Sequence, residues 1–207
     1  MPGHLPEPES KRVVAFFDGQ NVFYSVKKAF GYTYSNFSPP ALAHAICARE
    51  GWRLTQTRFY TGVPDETESP FWHTFWSNKL AALRRLPAVY AYARPLRYNT
   101  QEYTCPNGEK FTLRVAREKG IDVRIAIDII TLARQNAYDI ALVFSQDQDL
   151  SEVARTIREI AREKSRWIKI ASAFPANPDR PRGINSTDWI RYDKTVYDTC
   201  IDPSDYR

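Results

Sequence analysis

The sequence predicts an α/β fold, a three-layer α/β/α sandwich around a mostly parallel sheet. Three observations predict it. Short runs rich in β-branched and aromatic residues alternate along the chain with longer segments of helical spacing. The run Lys11–Phe17, with VVAFF at its end, and IALVF at Ile140–Phe144 are almost wholly apolar, as strands covered on both faces are. No internal repeat and no linker interrupts the alternation, and 207 residues suffice for one sizeable core.

The elements follow in order. The first strand ends on Asp18-Gly19, and Asn21–Phe30 is a helix stopped by Gly31. Ser38-Pro39-Pro40 opens a second helix, with Leu42 and Ile46 on its apolar side, that ends near Gly51. Arg53–Thr61 alternates and is rich in β-formers, so it is a strand. Ser69-Pro70 begins a longer helix carrying Phe71, Phe75, Leu80, Leu83 and Leu86, and Ala88–Ala93 is the third strand. Leu96 to Gly120 is the least regular part, with a turn at Pro106-Asn107-Gly108 and a short ribbon around Phe111–Val115. Ile121–Gln135 is a largely buried helix and Ile140–Phe144 the fourth strand. Asp149–Glu163 is an amphipathic helix, Trp167–Ser172 a fifth strand, and a short helix is expected near Thr195–Ile201. Residues 1–11 are expected to form a disordered leader, and 12–207 a single domain with a C-terminal extension.

Composition narrows the function classes. With 43% hydrophobic and 26% charged residues the chain as a whole is not disordered. No stretch approaches the roughly 20 apolar residues of a membrane span. Three cysteines, Cys47, Cys105 and Cys200, lack CxxC spacing, so reduced thiols and a cytoplasmic location are expected. The three histidines are isolated and form no metal or nucleophile constellation. Net charge is +5, and its distribution is uneven. Between Lys79 and Arg124 stand ten basic residues against four acidic ones, a surplus larger than that of the whole chain. Tyr90, Tyr92, Tyr98, Tyr103 and Phe111 are interleaved with them. Basic residues with ring faces are the footprint of single-stranded nucleic acid, and the alternative is a solvated face over core aromatics. Arg94, Arg97, Arg117 and Lys119 are the expected phosphate contacts. A homo-oligomer is as compatible with the sequence as a monomer.

Ligands of parallel sheets bind outside the carboxyl ends of the strands. Two strands end there on acids, the first in Phe17-Asp18-Gly19-Gln20-Asn21 and the fourth in Ser145-Gln146-Asp147-Gln148-Asp149. Asp122, after Lys119-Gly120, begins the buried helix. If the two strands are neighbours, the carboxylates of Asp18, Asp122 and Asp147 should lie roughly 4–8 Å apart, close enough for one ion. Gathered carboxylates repel one another unless a divalent cation neutralises them, and hard oxygen donors suit Mg²⁺ or Mn²⁺. Each acid also has a plainer reading, as a helix cap or turn residue. For Asp128 that reading is an i,i+4 ion pair with Arg124 on a solvated stripe.

The segments FFDGQNVF, EKGIDVRIAIDII and LVFSQDQDL, in this order, resemble the NYN domain family of PIN-like ribonucleases, and more narrowly its bacterial branch. The resemblance implies a PIN-like α/β/α sandwich and divalent-metal-dependent cleavage of RNA. It implies Asp18, Asp122 and Asp147 as the metal-binding acids. Asn21 and Asp149 take supporting positions among the catalytic residues, Ser145 the small polar one, and Asp128 that of a helix aspartate. One departure stands out: Gln146 and Gln148 occupy positions where the family pattern has small residues. A bulky Gln146 is expected to narrow the approach of substrate. The competing reading is a catalytically weak RNA-binding module that uses the same acidic cleft and basic flank. A phosphatase would want a second Asp at position 20, where Gln stands, and no GxGxxG follows the first strand as a nicotinamide fold would require.

Overall fold

The computed structural model describes residues 6–34 and 36–206; the first part of the expected leader lies outside them. A six-stranded sheet forms the middle layer. Its strands are β1 (Arg12–Asp18), β2 (Arg53–Val63), β3 (Val89–Pro95), β6 (Ile140–Phe144), β7 (Lys169–Pro175) and β8 (Asp188–Tyr192). The order is β3-β2-β1-β6-β7-β8, and every neighbouring pair is parallel. Strand order reverses between β1 and β6, whose register pairs Phe17 with Phe144. A crevice opens at such a reversal because the crossovers on either side leave in opposite directions.

Period-two alternation in β1 feeds two cores. Val13, Ala15 and Phe17 pack with α1 (Gly19–Phe30), α2 (Pro39–Glu50) and α3 (Pro70–Arg84) on one face. Val14 and Phe16 pack with α4 (Ile121–Arg134) and α5 (Ser151–Glu163) on the other. Side chains of successive strand residues point to opposite faces, so a continuous apolar run serves both layers. The helix boundaries have local causes. Ser38 caps α2 by accepting from the Ala41 N–H, with Pro39 in the first turn. Asp18 does the same for α1 through the Asn21 N–H, at 3.0 Å.

Three elements differ from the sequence reading. The ribbon is much longer than Phe111–Val115. It pairs β4 (Arg97–Thr104) with β5 (Lys110–Arg117) antiparallel, from Arg97 opposite Arg117 to Thr104 opposite Lys110. Its polar composition hides it, because both faces of the ribbon are largely exposed. Asp188–Tyr192 adds a sixth strand to the sheet edge, followed by α6 (Lys194–Asp198). Only Ile190 and Tyr192 of β8 are buried, too short a signal for sequence periodicity to catch. Asp149 precedes α5 proper, lying in a 3-10 turn over Gln148–Leu150.

Lys79 also departs from expectation. It is buried (1% exposed), donates to Asn36 and to the Phe37 carbonyl, and lies 3.6 Å from Asp202. It anchors the C-terminal segment and is not a surface cation. All three cysteines are free thiols. Among the described residues no helix is long and apolar enough to cross a membrane.

Candidate active site

Asp18 is the last residue of β1 and 7% exposed. One carboxylate oxygen caps α1; the other accepts from the Ser145 hydroxyl at 3.4 Å. Ser145 stands directly after β6, so this contact spans the strand-order reversal. The Ser145 oxygen in turn accepts from the Asp147 N–H at 3.1 Å. Asn21 braces the same junction, its side-chain oxygen accepting from the Gln146 N–H at 3.1 Å. Asp147 caps the turn that follows by accepting from the Asp149 N–H at 3.0 Å. Capping and clustering therefore coexist: Asp18 and Asp147 are cap residues and also acids at one edge.

Asp122 enters from the first turn of α4. Its approach depends on Gly120, which precedes the helix with φ +76. The positive φ favours glycine there, and a Cβ would also have to displace the end of the flexible Arg94 side chain, 2.6 Å away. The sequence reading missed a fourth acid, Glu118. It is half-buried and accepts from the Gly62 N–H at the end of β2. Space at Gly62 is taken by Leu96 and by Glu118 itself, at 2.2 and 2.8 Å from an added Cβ. The only sequence signal for Glu118 was an acid immediately before Lys119-Gly120 in an otherwise basic stretch.

The electrostatics tie these acids together. Burial pushes the Asp18 carboxyl up to about 6, with the charges of Asp147 and Asp122 adding to it and the Asn21 N–H and Ser145 hydroxyl opposing. Burial pushes Glu118 to about 7, with Asp18 and Asp122 contributing and the Gly62 N–H opposing. Asp149 is exposed at the rim. The expected convergence is incomplete. Among the described residues no three His, Cys, Asp or Glu side chains are drawn together closely enough to hold a metal ion. The donor chemistry nevertheless fits a hard divalent cation: all oxygen, mutually repelling, and partly desolvated.

Asp128 belongs elsewhere. The ion pair with Arg124 forms, at 2.9 Å, but not on a solvated stripe, because Asp128 is 5% exposed. It accepts from the Tyr60 hydroxyl at 2.7 Å and lies 3.3 Å from the Arg58 guanidinium. Arg58 and Arg124 cover the rings of Tyr90 and Tyr92, at 4.2 and 5.2 Å from their centroids. Two of the rings expected to stack bases are thus occupied, and Tyr103 and Phe111 stack on each other along the ribbon.

Gln146 does not project into the approach. It is 5% exposed, and its amide donates to the carbonyls of Arg180 and Arg182 at 3.0 and 2.7 Å. Gln148 donates to the Gly183 carbonyl and accepts from the Asn185 N–H, at 3.0 and 3.1 Å. The two glutamines fasten the segment between β7 and β8 beside the acids. A glycine and a serine could not reach these backbone groups. Of the basic residues, Arg94, Arg97 and Lys119 line one cavity of about 370 Å³ with Gly120, at the foot of the ribbon. Arg117 stands opposite Arg97 across the ribbon.

This architecture agrees with comparison to known proteins. The chain resembles the structure of a protein of unknown function from Vibrio parahaemolyticus RIMD 2210633, with a TM-score of 0.51 and 17% identity over 91% of this chain and 97% of that one. A likeness at that identity concerns the fold alone. A deacetylase–teicoplanin complex from teicoplanin biosynthesis aligns at a TM-score of 0.33 and 14% identity, over 77% of this chain and 68% of that one, too distant to inform the argument. No curated protein matches. The NYN domain family matches residues 12–173, from the first residue of β1 into β7, a span that takes in every acid of the cluster and the six-stranded sheet's point of reversal. The chain belongs to the NYN domain family.

Proposed function

We propose that this protein is a divalent-metal-dependent ribonuclease that hydrolyses phosphodiester bonds of single-stranded RNA. The observation that carries the proposal is the coupled set of acids Asp18, Asp122 and Asp147 where β1, α4 and β6 meet, next to a cavity lined by Arg94, Arg97 and Lys119. Asp18, Asp122 and Asp147 would hold Mg²⁺ or Mn²⁺. When bound, such a cation lowers the pKa of a coordinated water and stabilises charge that builds at phosphorus.

The chain's own groups have distinct tasks in this reading. Ser145 and the Asn21 N–H orient the Asp18 carboxylate, and the Asn21 side chain locks the Asp147 loop against α1. Asp149 stands at the rim beside Asp147, in a supporting place. Glu118, whose carboxyl burial pushes up to about 7, is divided between its protonated and ionised forms near neutral pH and is suited to acid–base exchange there. Arg94, Arg97, Arg117 and Lys119 bind backbone phosphates flanking the scissile bond. Asp128, saturated by Tyr60, Arg58 and Arg124, contributes structure rather than chemistry.

A second reading, an RNA-binding module with weak or no turnover, is favoured by one observation: the acids are not drawn into a closed ligand group among the described residues. Labelled single-stranded RNA incubated with Mg²⁺ or Mn²⁺ separates the two. Cleavage that disappears in Asp147→Asn supports the nuclease; binding without any cleavage supports the module.

A further inference from the structure

Across Gly62 from the acids lies a second concavity. Its volume is about 420 Å³, inside the range of about 300–1,000 Å³ usual for small-ligand sites. The walls come from α1, α3 and the ribbon, and five of the lining residues are Phe23, Tyr24, Trp72, Trp76 and Tyr98. Of these five rings only Tyr98 stands among the base-stacking candidates of the basic stretch; the other four lie on α1 and α3, outside it.

The rings are held in place before any ligand arrives. Phe23 meets Tyr24 and Trp72 edge-on, with centroids 5.4 and 5.8 Å apart. Trp76 stacks on Phe59 at 5.9 Å, leaving it 9% exposed. Tyr98 accepts from the Asp65 N–H at 3.1 Å. Cations stand at the rim. The Arg114 guanidinium lies 5.6 Å from the Tyr98 centroid and is held by Glu68 at 2.6 Å. Lys27 is exposed and makes no ion pair among the described residues. The pocket adjoins the acid site, since Gln20 and Gly62 line it and the Gly62 N–H donates to Glu118.

We propose that this pocket is a nucleobase subsite, which takes one unpaired base of an RNA strand whose adjoining phosphate lies at the acids. Such a subsite presupposes the nucleic-acid reading above. Flat aromatic walls suit the π-face of any base, and rim cations suit the phosphates on either side of it. A base within a duplex is stacked and paired and cannot enter, so the subsite selects single-stranded segments or loops. It also fixes the register of the strand: the base held here determines which phosphate reaches Asp18.

The test uses the full chain and a series of short, fluorescein-labelled single-stranded RNAs, each with one abasic nucleotide at a successive position. Binding is read by anisotropy in EDTA, and cleavage in parallel with Mn²⁺. The proposal predicts one position at which base removal weakens binding about tenfold, against little change elsewhere. In Tyr24→Ala/Tyr98→Ala, with circular dichroism unchanged, that position should lose its special penalty. If that variant does not fold, tryptophan fluorescence replaces it: intact RNA should quench wild type more than Trp72→Phe, and equal quenching refutes the proposal. Uniform losses along the strand, or a position-specific loss that survives in the folded double variant, overturn it. Cleavage without position-specific loss removes the subsite and leaves the nuclease. Position-specific loss without cleavage leaves the subsite and removes the nuclease, and no RNA binding removes both.

Discussion

Removing the charge of Asp18 should stabilise the metal-free protein, and only above a certain pH. In the folded state burial and the neighbouring Asp147 and Asp122 raise its carboxyl from 3.8 to about 6. A shift of about 2 units corresponds to about 3 kcal/mol of unfavourable interaction in the ionised form. The sign follows from proton binding. Between pH 4 and 6 the folded state binds more protons than the unfolded one, so stability falls as pH rises through that window, and above about 6 the whole penalty is present. Asp18→Asn keeps the oxygen that caps α1 and removes the charge. In EDTA at pH 8 it should raise Tm by up to about 6–12 °C, given about 2–4 °C per kcal/mol for a chain of this size. At pH 5, midway through that window, about half of the penalty remains, so the gap should shrink to about 3–6 °C. Added Mg²⁺ or Mn²⁺ should stabilise the wild type at pH 8 and leave the variant nearly unmoved. Differential scanning fluorimetry across pH 5–8 provides the comparison. An Asp18→Asn variant that is destabilised equally at both pH values would refute the reasoning, because Asp18 would then be only a cap.

Asp128→Ala should destabilise the fold by about 3 kcal/mol in urea denaturation, because it strands the largely buried Arg58 guanidinium, with little added by Arg124, whose side chain is 38% exposed; a loss under 1 kcal/mol would show that Arg58 is adequately solvated. Gln146→Gly should speed hydrogen exchange and proteolysis in residues 176–187 and lower cleavage while leaving metal affinity intact. Higher activity from that variant would restore the reading in which the side chain narrows the cleft. Replacing Arg94, Arg97 and Arg117 together with Ala should flatten the salt dependence of RNA binding by a slope of about 2, at about 0.7 per phosphate contact on a single strand; an unchanged slope would mark them as a solvated face.

Much of this fold is legible in the sequence because its central strands are buried on both faces. Val13–Phe17 and Ile140–Phe144 have no solvent side, so continuous apolar runs identify them, and their neighbouring placement brings Asp18 and Ser145 together. The ribbon and β8 escape because exposed or half-exposed strands need no apolar pattern. The acids on strand ends were readable from position alone. Glu118 was not, since its membership of the cluster depends on the contact with Gly62, 56 residues away. Burial decided the remaining differences. Lys79 and Asp128 look like surface charges in the sequence, and each is enclosed by partners supplied from distant elements. The two glutamines show the same limit, for their partners lie 34 to 37 residues further along the chain.

The central claim is that Asp18, Asp122 and Asp147 together support metal-dependent cleavage of RNA. The most direct measurement is product formation from end-labelled single-stranded RNA, with Mn²⁺ or Mg²⁺ and with EDTA, for the wild type and Asp147→Asn side by side. The account predicts cleavage by the wild type that EDTA abolishes, and a variant that stays folded, still binds the RNA and cuts it at least a hundredfold more slowly, the loss of about 2.7 kcal/mol or more of transition-state stabilisation. Equal cleavage by both proteins, or RNA binding by the wild type with no cleavage under either metal, would contradict it.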